Sequence, residues 1–195
     1  MNDHEISRKR DVLEAILTDT ATLGFTMASE LRIGALLAAL AASKPGGRLL
    51  ELGTGTGVGT ASLLAGMDAD ARLETVDTDA NVVAVARRHL SADARVTFHV
   101  MDGAEFISQA AHEQFDLIYA DAWPGKFTHL DETLSLLRLG GIYVIDDLLP
   151  QPNWPDGHAP KIPALVEALE RRSGFATVKL SWASGLMLAV RTGAV

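Results

Sequence analysis

Along most of the chain, short apolar runs alternate with segments whose apolar residues recur at helical spacing. The apolar runs predict strands at residues 48–52, 72–77, 95–100, 115–120, 141–146, 175–180 and 185–191. The periodic segments predict helices at residues 5–22, 28–43, 58–66, 79–90, 103–111, 127–138 and 164–173. Because the strand runs are continuously apolar, they favour a mostly parallel sheet with helices on both faces. The alternation therefore predicts a doubly wound α/β fold.

The final strands and the chain length bear on the domain organisation. The last predicted strand begins at Gly185, shortly after the one before it, so the two could form an antiparallel hairpin. A chain of 195 residues is long enough for one domain and short for two. We expect a single domain over residues 1–195, with N-terminal helices in residues 1–45 and the α/β core in residues 46–195.

Residues 148–163 interrupt the alternation with five prolines and Trp154. This composition is too irregular for a helix or a strand. Long irregular segments in compact domains are often functional. We therefore interpret residues 148–160 as a lid over a binding site.

Composition excludes several classes of function. The net charge of −8 argues against a nucleic-acid partner, which requires clustered Lys and Arg. The absence of cysteine excludes disulfides, thiolate metal sites and cysteine nucleophiles. The N-terminus is polar, and the longest apolar stretch, residues 33–42, is too short to span a bilayer. We expect a cytoplasmic protein without a membrane partner.

A glycine cluster follows the first predicted strand. Gly53, Gly55 and Gly57 lie between that strand and the next helix, where a ligand can approach bare backbone and helix-end N–H groups. Asp77 comes 24 residues after Gly53, at the end of the second strand, where it can bind the hydroxyls of a ribose. These features predict a nucleoside-containing ligand. Glu51 favours S-adenosylmethionine over NAD.

With Asp102-Gly103-Ala104 and Asp121 at the end of the fourth strand, the sequence resembles class I S-adenosylmethionine-dependent methyltransferases. Within that class it is similar to the small-molecule O-methyltransferases related to catechol and caffeoyl-CoA O-methyltransferases, over roughly residues 25–191. The resemblance implies a Rossmann-like sheet of seven strands in the order 3-2-1-4-5-7-6, with the last strand antiparallel, after two N-terminal helices. It also implies methyl transfer from S-adenosylmethionine to an oxygen of a small aromatic hydroxyl-bearing acceptor.

The cofactor-binding residues that follow from the motif and the resemblance are Met27, Ser29, Glu51, Gly53, Thr54, Gly55, Gly57, Asp77, Asp102, Gly103, Ala104 and Asp121. Glu51 would accept a hydrogen bond from the ammonium group of the cofactor, directly or through water. Asp102 would either receive the exocyclic amine of adenine or cap the helix predicted at residues 103–111.

The resemblance further implies that Asp121, Asp146 and Asp147 hold a magnesium ion, or Mn²⁺ or Ca²⁺, which lowers the pKa of the acceptor hydroxyl. It makes Lys126 the general base beside Asp121. The sequence departs from the family pattern at two points. Lys126 follows Asp121 by five residues instead of three, and Asp147 replaces an asparagine. The alternatives are a loop cap for the aspartates and a surface salt bridge for Lys126.

Other assignments stay open on the sequence alone. A metal-independent methyltransferase of the same fold would use His129, His158 or Lys126 as its base. Trp123, Trp154 and Trp182 could form apolar walls around an aromatic acceptor. For Trp182, packing in the core is the favoured interpretation. A cofactor-binding protein without enzymatic activity is a further alternative, and a homodimer is one option for the assembly.

Overall fold

The structure is a computed structural model that describes residues 10–194. Its helices are α1 (Arg10–Leu23), α2 (Leu31–Ala42), α3 (Val58–Gly66), α4 (Ala80–Leu90), α5 (Gly103–Gln109), α6 (Leu130–Ser135) and α7 (Ile162–Glu170), with a 3-10 turn at Ala159–Lys161. Its strands are β1 (Arg48–Leu52), β2 (Arg72–Asp77), β3 (Val96–Val100), β4 (Phe115–Ala120), β5 (Leu137–Ile145), β6 (Phe175–Leu180) and β7 (Leu186–Arg191).

The strands form one sheet in the order β3-β2-β1-β4-β5-β7-β6. Strand β1 pairs in parallel with β2 and β4, and the parallel pairing continues to β3 and β5. Strand β7 is antiparallel to both β5 and β6. The predicted strand order, the antiparallel last strand and the β6–β7 hairpin are therefore confirmed. The chain reverses its direction of winding between β1 and β4, which opens a crevice at their carboxyl ends.

Two apolar clusters cover the two faces of the sheet. Neighbouring residues of β1 belong to opposite clusters: Leu49 packs with α1, α2 and α3, whereas Leu50 packs with α5, α6 and α7. Both side chains are fully buried. The continuous apolar runs in the sequence are thus explained by burial on both sides.

The predicted helix at residues 127–138 is wrong at both ends. Residues 123–128 form a turn closed by a bridge between Pro124 and Thr128, and His129 caps α6 in a left-handed conformation. Strand β5 begins at Leu137, before the expected residue 141, and pairs with β4 across an irregularity. Helical spacing alone did not reveal the pairing of Leu137 with Phe115, with which the strand begins before its regular pairing at Ile142.

Other differences at element ends are small. Residues 5–9 of the first predicted helix lie outside the described residues, and α7 begins two residues earlier than expected. In the part of the chain that the structure covers, no helix is long and apolar enough to cross a membrane.

Candidate active site

A cavity of about 530 Å³ lies at the carboxyl ends of β1, β2, β4 and β5. It includes most of the residues predicted to bind the cofactor, namely Met27, Ser29, Gly53, Thr54, Gly55, Asp77, Asp102, Gly103 and Asp121. The residues of the predicted metal cluster and Lys126 also line it. Three predicted residues, Glu51, Gly57 and Ala104, are not among the lining residues.

Two glycines of the loop are required by protein packing. At Gly53 (φ 105°) a Cβ atom would lie 2.5 Å from the carbonyl oxygen of Asp121, so this glycine lets the ends of β1 and β4 meet. At Gly57 (φ 96°) a Cβ atom would lie 2.7 Å from that of Ala86 in α4. Gly57 is thus required by the packing of the loop against α4, and its predicted contact with the cofactor stays a prediction.

Glu51 lies under the loop and is 1% exposed. Its carboxyl group accepts hydrogen bonds from the hydroxyls of Thr60 and Thr75, and the Thr75 oxygen lies 2.7 Å from that of Thr54. Burial raises the pKa of Glu51 to about 8, against the opposing effect of the two hydroxyls. In this position Glu51 is linked to Thr54 of the glycine loop through Thr75, a network that the sequence did not indicate, and its predicted contact with the cofactor stays a prediction.

Asp77 is held at the rim of the cavity by backbone donors. Gly55 N donates to one carboxylate oxygen at 2.9 Å, and Asp79 N donates to the other at 3.0 Å. Each carboxylate oxygen keeps a lone pair for a further donor. Asp77 is thus fixed against the glycine loop, where its predicted role on the ribose hydroxyls stays a prediction.

Asp102 caps helix α5. One of its carboxylate oxygens accepts from Ala104 N at 2.7 Å and from Glu105 N at 3.4 Å. The capping alternative is confirmed. Because Asp102 and Gly103 also line the cavity, the cap does not exclude the predicted contact with adenine.

The acidic residues of the fourth and fifth strands meet at one point. Asp121, Asp146 and Asp147 each offer a carboxylate oxygen within 4.8 Å of the others. The ammonium group of Lys126 lies among them, 3.3 Å from Asp146 Oδ1 and 4.0 Å from Asp121 Oδ1, and donates to the Asp146 carbonyl at 3.1 Å. Lys126 is only 3% exposed, so the surface salt bridge proposed as an alternative is wrong.

Two hydroxyl groups complete this cluster. Tyr119 OH donates to Asp146 Oδ2 at 2.7 Å, and Ser29 Oγ donates to Asp121 Oδ2 at 3.2 Å. The two hydroxyl oxygens are 3.3 Å apart. Sequence reasoning missed Tyr119, although a tyrosine in a largely aliphatic strand, two residues before a strand-end aspartate, is the signal that could have revealed it.

The charged groups of the cluster shift one another's pKa values. Burial lowers the pKa of Lys126, but the carboxylates of Asp146, Asp121 and Asp147 outweigh it and raise the pKa overall. Burial and the charge of Asp146 raise the pKa of Asp121 well above its usual range, and the same causes raise that of Asp147 to about 6. Lys126 therefore stays an ammonium ion, which disfavours its predicted role as a base.

Carboxylate oxygens are the donor type that magnesium prefers. In this arrangement, however, both oxygens of Asp146 accept hydrogen bonds, one from Lys126 and one from Tyr119. The ammonium of Lys126 forms ion pairs with two of the three carboxylates, those of Asp146 and Asp121. The donor set thus suits a divalent ion by type, but the residues as arranged do not fit one, and the predicted metal site stays a prediction.

Aromatic side chains form the other side of the cavity. Trp123 is 38% exposed, and Trp154 stacks on His158 with ring centroids 4.5 Å apart. His158 also meets Phe127 edge-on, and its Nε2 lies 3.2 Å from the Asp147 carbonyl. Burial lowers the pKa of His158, which favours the neutral imidazole. Both tryptophans line the cavity as predicted.

Two other predicted candidates lie away from the cavity. His129 caps α6 and is not a lining residue, so it is not brought to the acidic cluster. Trp182 packs against the apolar cluster beneath α1–α3, which confirms the core-packing interpretation.

The irregular segment at residues 148–160 crosses the mouth of the cavity. Its residues Gln151, Asn153, Trp154, Pro155 and His158 are lining residues. Asn153 Nδ2 donates to the carbonyl of Thr26 at 2.7 Å, which ties this segment to the chain entering α2. The geometry agrees with a lid.

Comparison with known proteins gives the family. A family described as a methyltransferase domain matches residues 50–148, from β1 to the residues just after β5. The chain belongs to this methyltransferase domain family, and the resemblance predicted from the motifs is confirmed.

Relatives from mycobacteria agree with this membership. One from Mycolicibacterium vanbaalenii, provisionally named an O-methyltransferase, is 31% identical over 150 residues, covering 74% of this chain and 66% of that protein. One from Mycobacterium ulcerans with the same provisional name is 32% identical over 118 residues, covering 58% of this chain and 53% of that protein. The chain spans between about half and two thirds of the length of these curated relatives.

Solved structures confirm the predicted fold. The O-methyltransferase TomG from Streptomyces achromogenes, in complex with S-adenosylmethionine, matches with a TM-score of 0.80 at 22% identity, covering 96% of this chain and 93% of that one. An O-methyltransferase from Bacillus cereus in complex with S-adenosylhomocysteine matches with a TM-score of 0.82 at 21% identity, with the same coverage.

Proposed function

We propose that the chain transfers a methyl group from S-adenosylmethionine to a hydroxyl oxygen of a small aromatic acceptor. The observation that carries the proposal is one cavity with three different walls: a glycine loop with Asp77, an acid–lysine cluster, and an aromatic side with Trp123 and Trp154. The provisional names of the relatives and the ligands of the solved neighbours support the same reaction. The cytoplasmic location and the homodimer stay predictions.

The methyl donor would be held by the loop after β1 and by the end of β2. Backbone groups of residues 53–55 and the carboxylate of Asp77 face this part of the cavity, and Asp102 and Gly103 extend it. S-adenosylmethionine supplies a methyl group on a sulfonium, and the protein contributes mainly by aligning the acceptor oxygen with it. The pre-formed loop lowers the cost of that alignment.

The acceptor hydroxyl would approach the acidic cluster. The carboxylate of Asp147 faces the cavity, and its pKa of about 6 suits a general base near neutral pH. In this step Asp147 takes the hydroxyl proton while the aromatic ring packs against Trp123 and Trp154. The general-base role thus passes from Lys126 to Asp147.

The negative charge that develops on the acceptor oxygen needs a neighbouring cation. In the metal-assisted form of the reaction, Asp121, Asp146 and Asp147 would hold a divalent ion, and that ion would supply the positive charge. The metal-independent form assigns it to the ammonium of Lys126, 4.0 Å from Asp121 Oδ1.

A panel of phenols and catechols tests the proposal. The protein is incubated with isotopically labelled S-adenosylmethionine, and mass spectrometry follows both S-adenosylhomocysteine and the labelled product. We expect label on an aromatic hydroxyl oxygen of at least one acceptor. Label on nitrogen or carbon alone would contradict the assigned atom. Failure of the protein to bind S-adenosylmethionine would contradict the whole proposal.

A further inference from the structure

The cation of the acidic cluster is already part of the chain. The Nζ atom of Lys126 is 3.3 Å from Asp146 Oδ1, 3.1 Å from the Asp146 carbonyl and 4.0 Å from Asp121 Oδ1. The side chain is 3% exposed, so solvent screens its charge only weakly. A divalent ion at the same point would have to displace this ammonium or lie within a few ångströms of it.

The turn at residues 123–128 fixes Lys126 in that position. Gly125 has a φ of 88°, its N–H donates to the Thr128 carbonyl at 2.7 Å, and its own carbonyl accepts a hydrogen bond from Tyr143 OH. A Cβ at Gly125 would collide with Leu52. Pro124 and Gly125, the two residues that lengthen the spacing between Asp121 and Lys126, therefore belong to an ordered turn. This turn places the ammonium of Lys126 beside the carboxylates of Asp121 and Asp146.

The hydrogen bonds of the aspartates agree with a monovalent occupant. Tyr119 OH donates to Asp146 Oδ2, while Lys126 takes Asp146 Oδ1. Ser29 donates to the Asp121 oxygen that Lys126 does not face. Each of these oxygens has a protein donor or cation beside it, so replacing the ammonium by a metal would break several contacts at once.

We infer that the ammonium of Lys126 is the cation of this cluster and that the chain acts without a divalent metal ion. The inference rests on the proposed O-methyl transfer, because it assigns to Lys126 the charge that stabilises the acceptor oxygen. No proton leaves Lys126 in this role. The acceptor proton goes to Asp147. The methyl group leaves the sulfonium of S-adenosylmethionine for the acceptor oxygen, and the S–C bond electrons stay with S-adenosylhomocysteine.

Titration with Mn²⁺ alone, followed by electron paramagnetic resonance, tests the inference without any acceptor. The proteins are the parent, Lys126→Met, and the control Lys179→Met. The control removes an exposed lysine of β6 that is paired with Glu170 of α7. We expect the parent and the control to show no saturable binding below about 1 mM. Lys126→Met should bind one ion at least about tenfold more tightly, because a buried like charge is gone and the carboxylates remain.

Two results would overturn the inference. One is a parent that binds Mn²⁺ as tightly as Lys126→Met. The other is saturable binding in neither protein, which would mean that the carboxylates do not form a cation site. Affinity for S-adenosylmethionine checks that Lys126→Met is folded. If Lys126→Met is not folded, the parent titration decides alone. Saturable binding of Mn²⁺ by the parent below about 1 mM would contradict Lys126 as the resident cation, and no binding in that range would support it.

A second arm uses turnover. With an acceptor from the phenol panel, formation of S-adenosylhomocysteine by the parent should be unchanged in excess chelator. Loss of turnover that magnesium restores would overturn the inference while leaving the methyl-transfer proposal intact. Absence of S-adenosylmethionine binding would contradict the methyl-transfer proposal but not the assignment of Lys126 as the resident cation. The Mn²⁺ titration tests that assignment without cofactor or acceptor.

Discussion

The buried carboxyl group of Glu51 links stability to pH. Its pKa is raised to about 8 in the folded chain, from an ordinary value of 4.5. Between these values the folded state binds more protons than the unfolded state, so this contribution to stability is complete below about pH 4.5 and is lost as the pH rises through about 8. Glu51 therefore stabilises the cofactor-free protein more at acidic than at alkaline pH.

Glu51→Gln should remove this dependence. We expect the parent to lose on the order of 2–4 kcal/mol relative to Glu51→Gln between pH 5 and pH 8. Urea unfolding at several pH values measures the difference. Parallel stability curves for the two proteins would show that the carboxyl group ionises alike in the folded and unfolded states.

Asp77 is expected to carry much of the cofactor affinity. Loss of charge-assisted hydrogen bonds to ribose hydroxyls costs roughly 2–3 kcal/mol, so Asp77→Ala should weaken S-adenosylmethionine binding about 30- to 150-fold in calorimetry. Asp70→Ala, which removes an exposed carboxylate away from the cavity, serves as the control. Equal affinities for the two folded variants would separate Asp77 from the ribose.

Asp147 should set the acid limb of the pH profile. A base must be deprotonated to act, so kcat/KM should rise as the pH passes about 6 and level off above it. Asp147→Asn should lower kcat by about 100-fold or more and abolish this limb. The exposed neighbour Asp156 gives the control Asp156→Asn. An unchanged limb in Asp147→Asn would transfer the base role to His158.

At the scale of elements, the segment at residues 148–160 lines the cavity with side chains between Gln151 and His158. Asn153 reaches across to the Thr26 carbonyl, whereas Gln151 donates within its own segment to Leu149 at 3.3 Å. Asn153→Ala should therefore speed the release of S-adenosylmethionine about fivefold, the equivalent of one ordinary hydrogen bond, with little change in stability. Stopped-flow dissociation measures this, and Gln151→Ala is the matched control. Identical rates for the two variants would argue against a lid.

The β4–β5 region shows how elements adapt to their neighbours. The segment after β4 has helical spacing of apolar residues, yet only Leu130–Ser135 is helical. The preceding residues are used to place Lys126 in the site, and the following ones pair with β4 from Leu137 onward. The placement of Lys126 and the pairing of β5 with β4 both depend on contacts between residues distant in sequence. Local periodicity does not predict such contacts.

At the scale of the whole molecule, cofactor binding should be coupled to folding. The cavity is built from the ends of four strands and the loops between them, so a ligand there favours the folded state over the unfolded one. S-adenosylmethionine at about 100 times its Kd should add about 2.7 kcal/mol to the free energy of unfolding. Thermal unfolding with and without the cofactor measures this as a rise in Tm. An unchanged Tm with bound cofactor would mean that the unfolded chain binds it as well.

The sequence by itself determined the fold class, the strand order through the resemblance, and most of the cavity. Continuous apolar runs require burial on both faces, and a glycine cluster after the first run requires a tight turn at a sheet edge. These are local consequences of polarity and backbone freedom, so Gly53 and Asp77 were found from their spacing, whereas Asp121 came from the resemblance; all three line the cavity.

Only the tertiary structure decided what the charged groups do. Lys126 is displaced from its family position in sequence, but the turn at residues 123–128 brings it against the carboxylates of Asp121 and Asp146. Glu51 was predicted as a cofactor contact, and only the structure shows that its carboxyl group is buried and hydrogen-bonded to Thr60 and Thr75. Charge state and access depend on which groups meet across strands, and on how much water they lose there, because electrostatic energies change with distance and burial. The spacing of residues along the chain gives neither the distances between these groups nor their burial.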